Sequence, residues 1–407
     1  MKQFPTKQSR LAVCLLIGAG VTGAQAQEAQ GERLDRLESE LERLQEDMRA
    51  SRDRDFRING FMSTGYARAS NDAGYAGITE DSEVRSQTLF AVQGTFDLND
   101  QTKATFQLLS RGEPKAAGGD RWETQLEWGY VSHKMDNGLR LRAGKMRTPL
   151  FMYSDSLDLG YAQPFAKAPD AVYDQVSLSS FTGADATYNF DVLGQSIRTQ
   201  VFAGHSENQD LSGGTELRNT AGAVVSWTDY TWTVRGVAAR ADLSIVNLLA
   251  GTPSPLSIDD QDGKFYGLGI EYEQGNIMAV SEITRRDTDG VFPERDGAYA
   301  TLGYRFDGVM PYVTYAWVET QDDDKRPVAP TSPAAALAAL NEKREDYSLG
   351  VRWDVIPGIA LKADWTHSRA FGDTSGALAG NATSFASGQG NRFDHTNVYT
   401  LKLDAAF

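Results

Sequence analysis

From Phe56 to Phe407 the chain alternates apolar and polar residues with a period of two, and this period limits the fold more than any other feature. In an extended chain, residues two apart share a face. The final stretch, VYTLKLDAAF, puts Tyr399, Leu401, Leu403, Ala405 and Phe407 on one face and Val398, Thr400, Lys402 and Asp404 on the other. Val84, Ser86, Thr88, Phe90, Val92 and Phe96 share a face opposite Arg85, Gln87, Gln93 and Thr95. Ala104, Phe106 and Leu108 oppose Lys103, Thr105, Gln107 and Arg111, while Trp122, Leu126, Trp128 and Tyr130 oppose Glu123, Gln125 and Glu127. Strands of this kind suit a soluble sheet half buried on a core. They suit equally a sheet with lipid on one side and water on the other.

The connections separate the two. Short turns at LNDQ, MDNG, DVLGQ, TDY, EQGN, FDGV and VIPG alternate with longer polar stretches such as 70–83, 147–178, 242–263, 321–346 and 371–394. Asn, Asp and Gly supply the geometry of the tight turns. Seven short turns and eight long loops make fifteen connections and sixteen strands. A soluble β domain has no reason to sort its loops by length onto two ends, whereas an outer-membrane barrel does. The expected fold is all-β: a sixteen-stranded antiparallel transmembrane β-barrel over 55–407, both of whose ends lie on the short-turn side. Its last strand closes on the first, FRINGFMSTGYARA, because a bilayer leaves no strand edge unpaired.

Ahead of the barrel two segments are expected. Lys2, Lys7 and Arg10, an apolar run, and Ala24 and Ala26 flanking Gln25 read as a secretory signal peptide over 1–26. The run is too short to span a membrane. Over 27–54, Leu34, Leu37, Leu41, Leu44 and Met48 are spaced 3, 4, 3, 4, the seam of a short α-helical coiled coil in the periplasm.

Composition excludes several functions. The net charge of −15 becomes −18 without the leader, which carries three basic and no acidic residues. So acidic a chain lacks the clustered Lys and Arg that phosphate contacts require, which argues against nucleic acid as a partner. Cys14, the one cysteine, lies in the leader, so the mature chain has neither disulfides nor thiol chemistry. His133, His205, His367 and His395 are scattered without metal-ligand spacing. No nucleophile elbow and no phosphate-cradling glycine loop is present. The expectation is a chain with no enzymatic activity, cofactor or metal.

At LRLRAGKMRTPLFMYSDSLDLGYAQPFAKAPDAVYD, residues 139–174, the sequence resembles the Gram-negative outer-membrane porins. In that family a basic, glycine-containing strand runs into a long third loop that folds inside the barrel and narrows the pore. With the added heptads the chain resembles porins of the DcaP type, in which a periplasmic coiled coil extends a trimer. The resemblance implies a homotrimeric diffusion channel for small polar solutes in the outer membrane. It also implies recognition of Phe407 by the outer-membrane assembly machinery. The arginine arrangement of phosphate-selective porins has no match.

If the apolar faces meet lipid, the opposite faces line water. They carry Arg85, Lys103, Arg111, Arg140, Arg142, Arg198, Arg235, Arg305, Arg352, Lys362 and Lys402, together with Glu123, Glu127, Asp185, Glu271, Glu273, Glu282 and Asp364. Arg85, Arg111, Arg140 and Arg142 fall on near-neighbour strands, with Lys145 and Arg147 where the strand breaks into the third loop. That loop, about 147–178, carries Asp155, Asp158, Asp170 and Asp174. A basic wall facing an acidic loop would set a transverse field across the narrowest point. Such a channel would favour anions such as organic acids. The acid-rich stretches NDAGYAGITEDSE and TQDDDKR read as solvated loops, or as sites for divalent cations bridging lipopolysaccharide. The rival function is structural: a barrel that anchors the coiled coil as a tether to another layer.

Overall fold

The computed structural model describes residues 56–113, 122–176, 178–210, 213–249, 252–253, 257–323, 325–326 and 339–407. The leader and the heptad segment with Leu34, Leu37, Leu41, Leu44 and Met48 lie outside these residues. Sixteen long strands follow one another: β1 (Phe56–Ala69), β2 (Leu89–Asp97), β3 (Thr102–Gly112), β4 (Trp122–Lys134), β5 (Arg140–Arg147), β6 (Ser180–Val192), β7 (Gln195–Asp210) and β8 (Gly213–Thr228). The second half is β9 (Trp232–Leu249), β10 (Ile258–Gln274), β11 (Ile277–Thr288), β12 (Arg295–Tyr304), β13 (Val309–Thr320), β14 (Lys343–Ile356), β15 (Ile359–Arg369) and β16 (His395–Ala406). A two-residue pairing, Thr252–Pro253, extends the end of β9.

Each strand pairs antiparallel with its sequence neighbours, and β1 pairs with β16 from Phe61↔Ala406 to Ala69↔Val398. The seam ends where the Gly60 N–H donates to the Phe407 carbonyl at 2.8 Å and the Phe407 N–H to the Gly60 carbonyl at 2.9 Å. The sheet is therefore a closed barrel with its first and last strands hydrogen-bonded.

Alternation behaves as the sequence implies. Leu268, Ile270, Leu302, Val313, Leu349, Tyr399, Leu401 and Phe407 are exposed on the outer face, while their immediate neighbours turn inward. Aromatic pairs gather at the short-turn end: Phe56 with Phe96 at 4.2 Å, Trp232 with Tyr272 at 4.5 Å, and Tyr304 with Phe306 at 4.6 Å between ring centroids. An apolar band edged by aromatic rings is the outer surface of a barrel in lipid.

Three local expectations are corrected. First, β2 begins at Leu89; residues 84–88 form a turn, so Arg85 stands before the strand and not on its inner face. Second, the β3–β4 register shifts between Gln107 and Leu108, which pair with Trp128 and Leu126. The bulge reverses alternation beyond it, so Trp128 and Tyr130 sit beneath inner arginines: Arg147 lies 5.6 Å from the Trp128 ring and Arg142 5.1 Å from the Tyr130 ring. Third, the long side is not uniformly long. Most of 242–263 belongs to β9 and β10, and only residues 211 and 212 join β7 to β8. Strands β7 to β10 are 16, 16, 18 and 17 residues long and run on as extended hairpins, because ladder hydrogen bonds are indifferent to side-chain polarity.

A charge on the outer face should be costly. Leu268→Arg, between Tyr266 and Tyr272 on β10, is expected to lose about 2–4 kcal/mol of folding free energy in lipid vesicles, measured by denaturant titration. A change under about 0.5 kcal/mol would place Leu268 outside the hydrocarbon and overturn this face assignment.

Candidate functional site: a loop held inside the barrel

Residues 148–179 join β5 to β6 and make contact with strands all around the cylinder. Near the start, the Pro149 carbonyl accepts from Arg235 Nη2 on β9 at 2.7 Å, and the Met152 N–H donates to Glu282 on β11 at 2.9 Å. Tyr153 Oη donates to Glu271 on β10 at 2.9 Å. Asp158 then meets Arg111 on β3 and Arg147 at the end of β5. The chain crosses to β15, where Lys362 Nζ donates to the carbonyls of Gly160 at 2.6 Å, Gln163 at 2.8 Å and Phe165 at 3.1 Å. Arg352 on β14 reaches the Gln163 carbonyl at 2.8 Å, and the Ala166 N–H donates to Tyr312 Oη on β13 at 3.0 Å. Only from inside can one segment touch β3, β9, β11, β13 and β15 of a closed cylinder.

An apolar inner wall supports the loop. Phe181, Phe202, Val224, Val237, Phe265, Val280, Tyr299 and Tyr312, from β6 to β13, bury themselves against Leu150, Phe151, Phe165, Ala171 and Val172 of the loop. Burying each large side chain contributes roughly 1.5–3 kcal/mol. The backbones also approach closely. A side chain at Gly297 would strike the Ala171 carbonyl, and one at Gly160 would strike the Asp404 carboxylate and the Ser63 hydroxyl.

Two ionic groups fix the loop on the opposite side. Arg147 is 6% exposed and bridges Glu127, at 2.9 Å, to Asp158. Burial alone would raise the Asp158 carboxyl, but Arg147 and Arg111 outweigh it and hold the group below its ordinary value. It therefore stays ionised at neutral pH. The second group is Lys362, which lies 3.0 Å from Asp404 with neither side chain exposed. Breaking one partner of such a pair leaves a buried charge uncompensated and costs about 3–5 kcal/mol.

The charged residues singled out in the sequence now divide. Arg111, Arg147 and Asp158 come together in one network. Arg142 is turned to Asp185 on the adjacent strand, with Nε 3.0 Å from each carboxylate oxygen. Asp170 pairs with Lys167 at 2.6 Å, three residues away, and Asp174 is exposed with its carbonyl 3.5 Å from Arg295. Arg85 donates to the Glu113 carbonyl at 2.7 Å, outside this network. Lys145 lies opposite Gly129 and Thr182, alternating with the inward Met146, and makes no ion pair among the described residues. Arg140 on β5 and Arg198 on β7 are exposed on the inner face with no ion pair among the described residues. Asp155 is exposed too, and lines a cavity of about 450 Å³ with Asn59, Gln93, Gln107, Trp128 and Arg147.

The architecture has counterparts among solved structures. The chain is similar to an anion-selective porin from Comamonas acidovorans, at 14% identity and a TM-score of 0.54, over 86% of this chain and 99% of that one. It is similar to Salmonella typhi OmpF in complex with daunomycin, at 12% identity and a TM-score of 0.57, over 86% and 97%. A third is Pseudomonas putida OprB, at 12% identity and a TM-score of 0.53, over 87% and 95%. The fold is that of the outer-membrane porins. No protein-family model and no curated protein matches the sequence.

Because Lys362 holds the carbonyls of Gly160, Gln163 and Phe165 at once, two substitutions should unseat this part of the porin-like inner loop. Lys362→Met and Gly160→Val are each expected to give larger and noisier single-channel currents, with faster protease cleavage within 148–179. Unchanged currents and unchanged cleavage in both variants would show that the loop is held elsewhere.

Proposed function

We propose that the chain is an outer-membrane porin: a water-filled channel for passive diffusion of small hydrophilic solutes, narrowed by residues 148–179 and preferring anions such as organic acids. The observation that carries this reading is a lumen crossed by a loop whose every anchor is an inward side chain. A sixteen-stranded barrel is too wide for side chains alone to fill, and an internal loop leaves a passage of molecular size. The resemblance of residues 139–174 to porins and the porin fold support the same reading. We further infer a homotrimer extended by the 27–54 coiled coil, with Phe407 read by the assembly machinery and lipopolysaccharide around the outer rim.

The anion preference rests on pairing. Most inner arginines and lysines have a carboxylate partner, as Arg142 has Asp185, Arg352 has Asp354 and Lys362 has Asp404. Arg140 and Arg198 keep their charge for the lumen. Asp155, close enough to be felt by Arg142, Arg147 and Arg235, supplies the opposite pole of a transverse field.

The test is the reversal potential of the purified protein in a planar bilayer under a tenfold KCl gradient. A chloride-directed potential is expected, moving towards zero in Arg140→Gln/Arg198→Gln and staying put in Arg142→Gln/Asp185→Asn, which removes a pair without changing the net charge. A potassium-directed potential in the wild type would reject the anion preference. Properly folded protein without any conductance would reject the channel.

A further inference from the structure

Every neighbouring pair of long strands is consecutive in sequence except β1 and β16. A connection helps to fix the register of each consecutive pair, and the seam has none. A slip of one residue there would turn each side chain to the wrong solvent. A slip of two keeps every face, so the division between lipid and water does not oppose it. Some other contact must hold the seam at Ser63↔Asp404.

The inner loop runs across this pair. Asp158 meets Arg111 on β3. Leu159 packs on the cluster of Phe61, Ala91 and Leu109, which Ala406 of β16 also joins. The Gly160 backbone then presses on Ser63 and Asp404 themselves, with no room for a Cβ. Ser63 Oγ donates to Asp404 Oδ1 at 2.5 Å across the seam. Lys362 Nζ lies 3.0 Å from Asp404 Oδ2 and donates to the Gly160 carbonyl at 2.6 Å. Ser63, Asp404 and Lys362 are all buried. Arg352 on β14 ends the series at the Gln163 carbonyl.

Residues 158–163 therefore reach from β3, over the seam, to β14. A slip of two would set Ser63 opposite Lys402 or Ala406 and take its hydroxyl from Asp404. It would also draw Phe61 away from Leu159 while Lys362 still held Gly160. Selecting one register is the best-attested use of a buried polar or ionic group. We propose that residues 158–163 are an internal belt that sets the register of the closing seam and holds β1 to β16. This is a role in barrel assembly, and it stands whether or not the barrel conducts.

The test is cysteine cross-linking in the full-length protein refolded into lipid vesicles and oxidised with copper phenanthroline. Cys14→Ser is present throughout, so that no other thiol competes. Thr64→Cys/Leu403→Cys reports the native register, and Thr64→Cys/Leu401→Cys reports a slip of two. Directly opposed residues lie within the Cα separation that a disulfide spans, whereas the diagonal pair lies beyond it. Gly160→Val and Leu159→Ser should each lower the native cross-link at least threefold and raise the slipped one at least threefold. Gly297→Val, which displaces the loop where Ala171 meets β12, should change neither. If Gly160→Val does not fold, Leu159→Ser decides, because it removes a contact without introducing a clash. A native cross-link undiminished in Leu159→Ser, no rise in the slipped one, or an equal loss in Gly297→Val would each overturn the belt.

Discussion

A strand surrounded by hydrocarbon has nowhere to place its N–H and C=O groups except on another strand, and each group left over costs several kcal/mol. The seam between β1 and β16, finished by the reciprocal bonds of Gly60 and Phe407, is what that requirement imposes. The rest follows from closure. Once the sheet is a cylinder, outward positions meet lipid and inward positions meet water, so the period of two becomes a division between solvents. Sixteen strands make the cylinder too wide for its own side chains to fill, and a further segment must set the passage.

That segment has turned part of the lumen into a core. Where residues 148–179 lie along β6 to β13, inward positions carry Phe, Val, Met and Tyr, and the loop returns Phe151, Phe165 and Val172 against them. Where the loop crosses to β3, β14 and β15, the anchors are ions and carbonyls: Asp158 with two arginines, Lys362 with three carbonyl oxygens. The first kind of contact supplies burial; the second supplies register, since charge-assisted bonds are directional. Gly160 and Gly297 let the backbones come close enough for both.

The barrel was legible in the sequence because its governing physics is local and repetitive: alternation along each strand and turn chemistry between strands. The tail face of Tyr399, Leu401, Leu403, Ala405 and Phe407 is an example. Errors arose where one residue breaks the rhythm. The bulge in β4 moves Trp128 and Tyr130 to the inside, and no residue type in ETQLEWGY announces it. The anchors were legible only as inward charges, because their partners are carbonyl oxygens far away in sequence. Lys362 and Gly160 are 202 positions apart. VMPYVTYAWVET on β13 carries a signal of its own: it is largely apolar on both faces, as a strand is when both faces are covered.

Counting charges misleads for the same reason. The chain carries −15 overall, and that number suggests a cation channel. Charges act on a solute only across the distance that salt permits, about 8 Å at physiological ionic strength. Acids beyond that range from a passing solute do not act on it. Within range, neighbouring opposite charges cancel: Arg142 with Asp185, Arg352 with Asp354, Arg305 with Glu273. In the proposed channel a passing ion would sense the remainder, to which Arg140 and Arg198 contribute on the inner faces of β5 and β7 and Asp155 on the inner loop. A protein can therefore be strongly acidic and still present a basic wall, provided that its acids lie either far from the passage or against a partner.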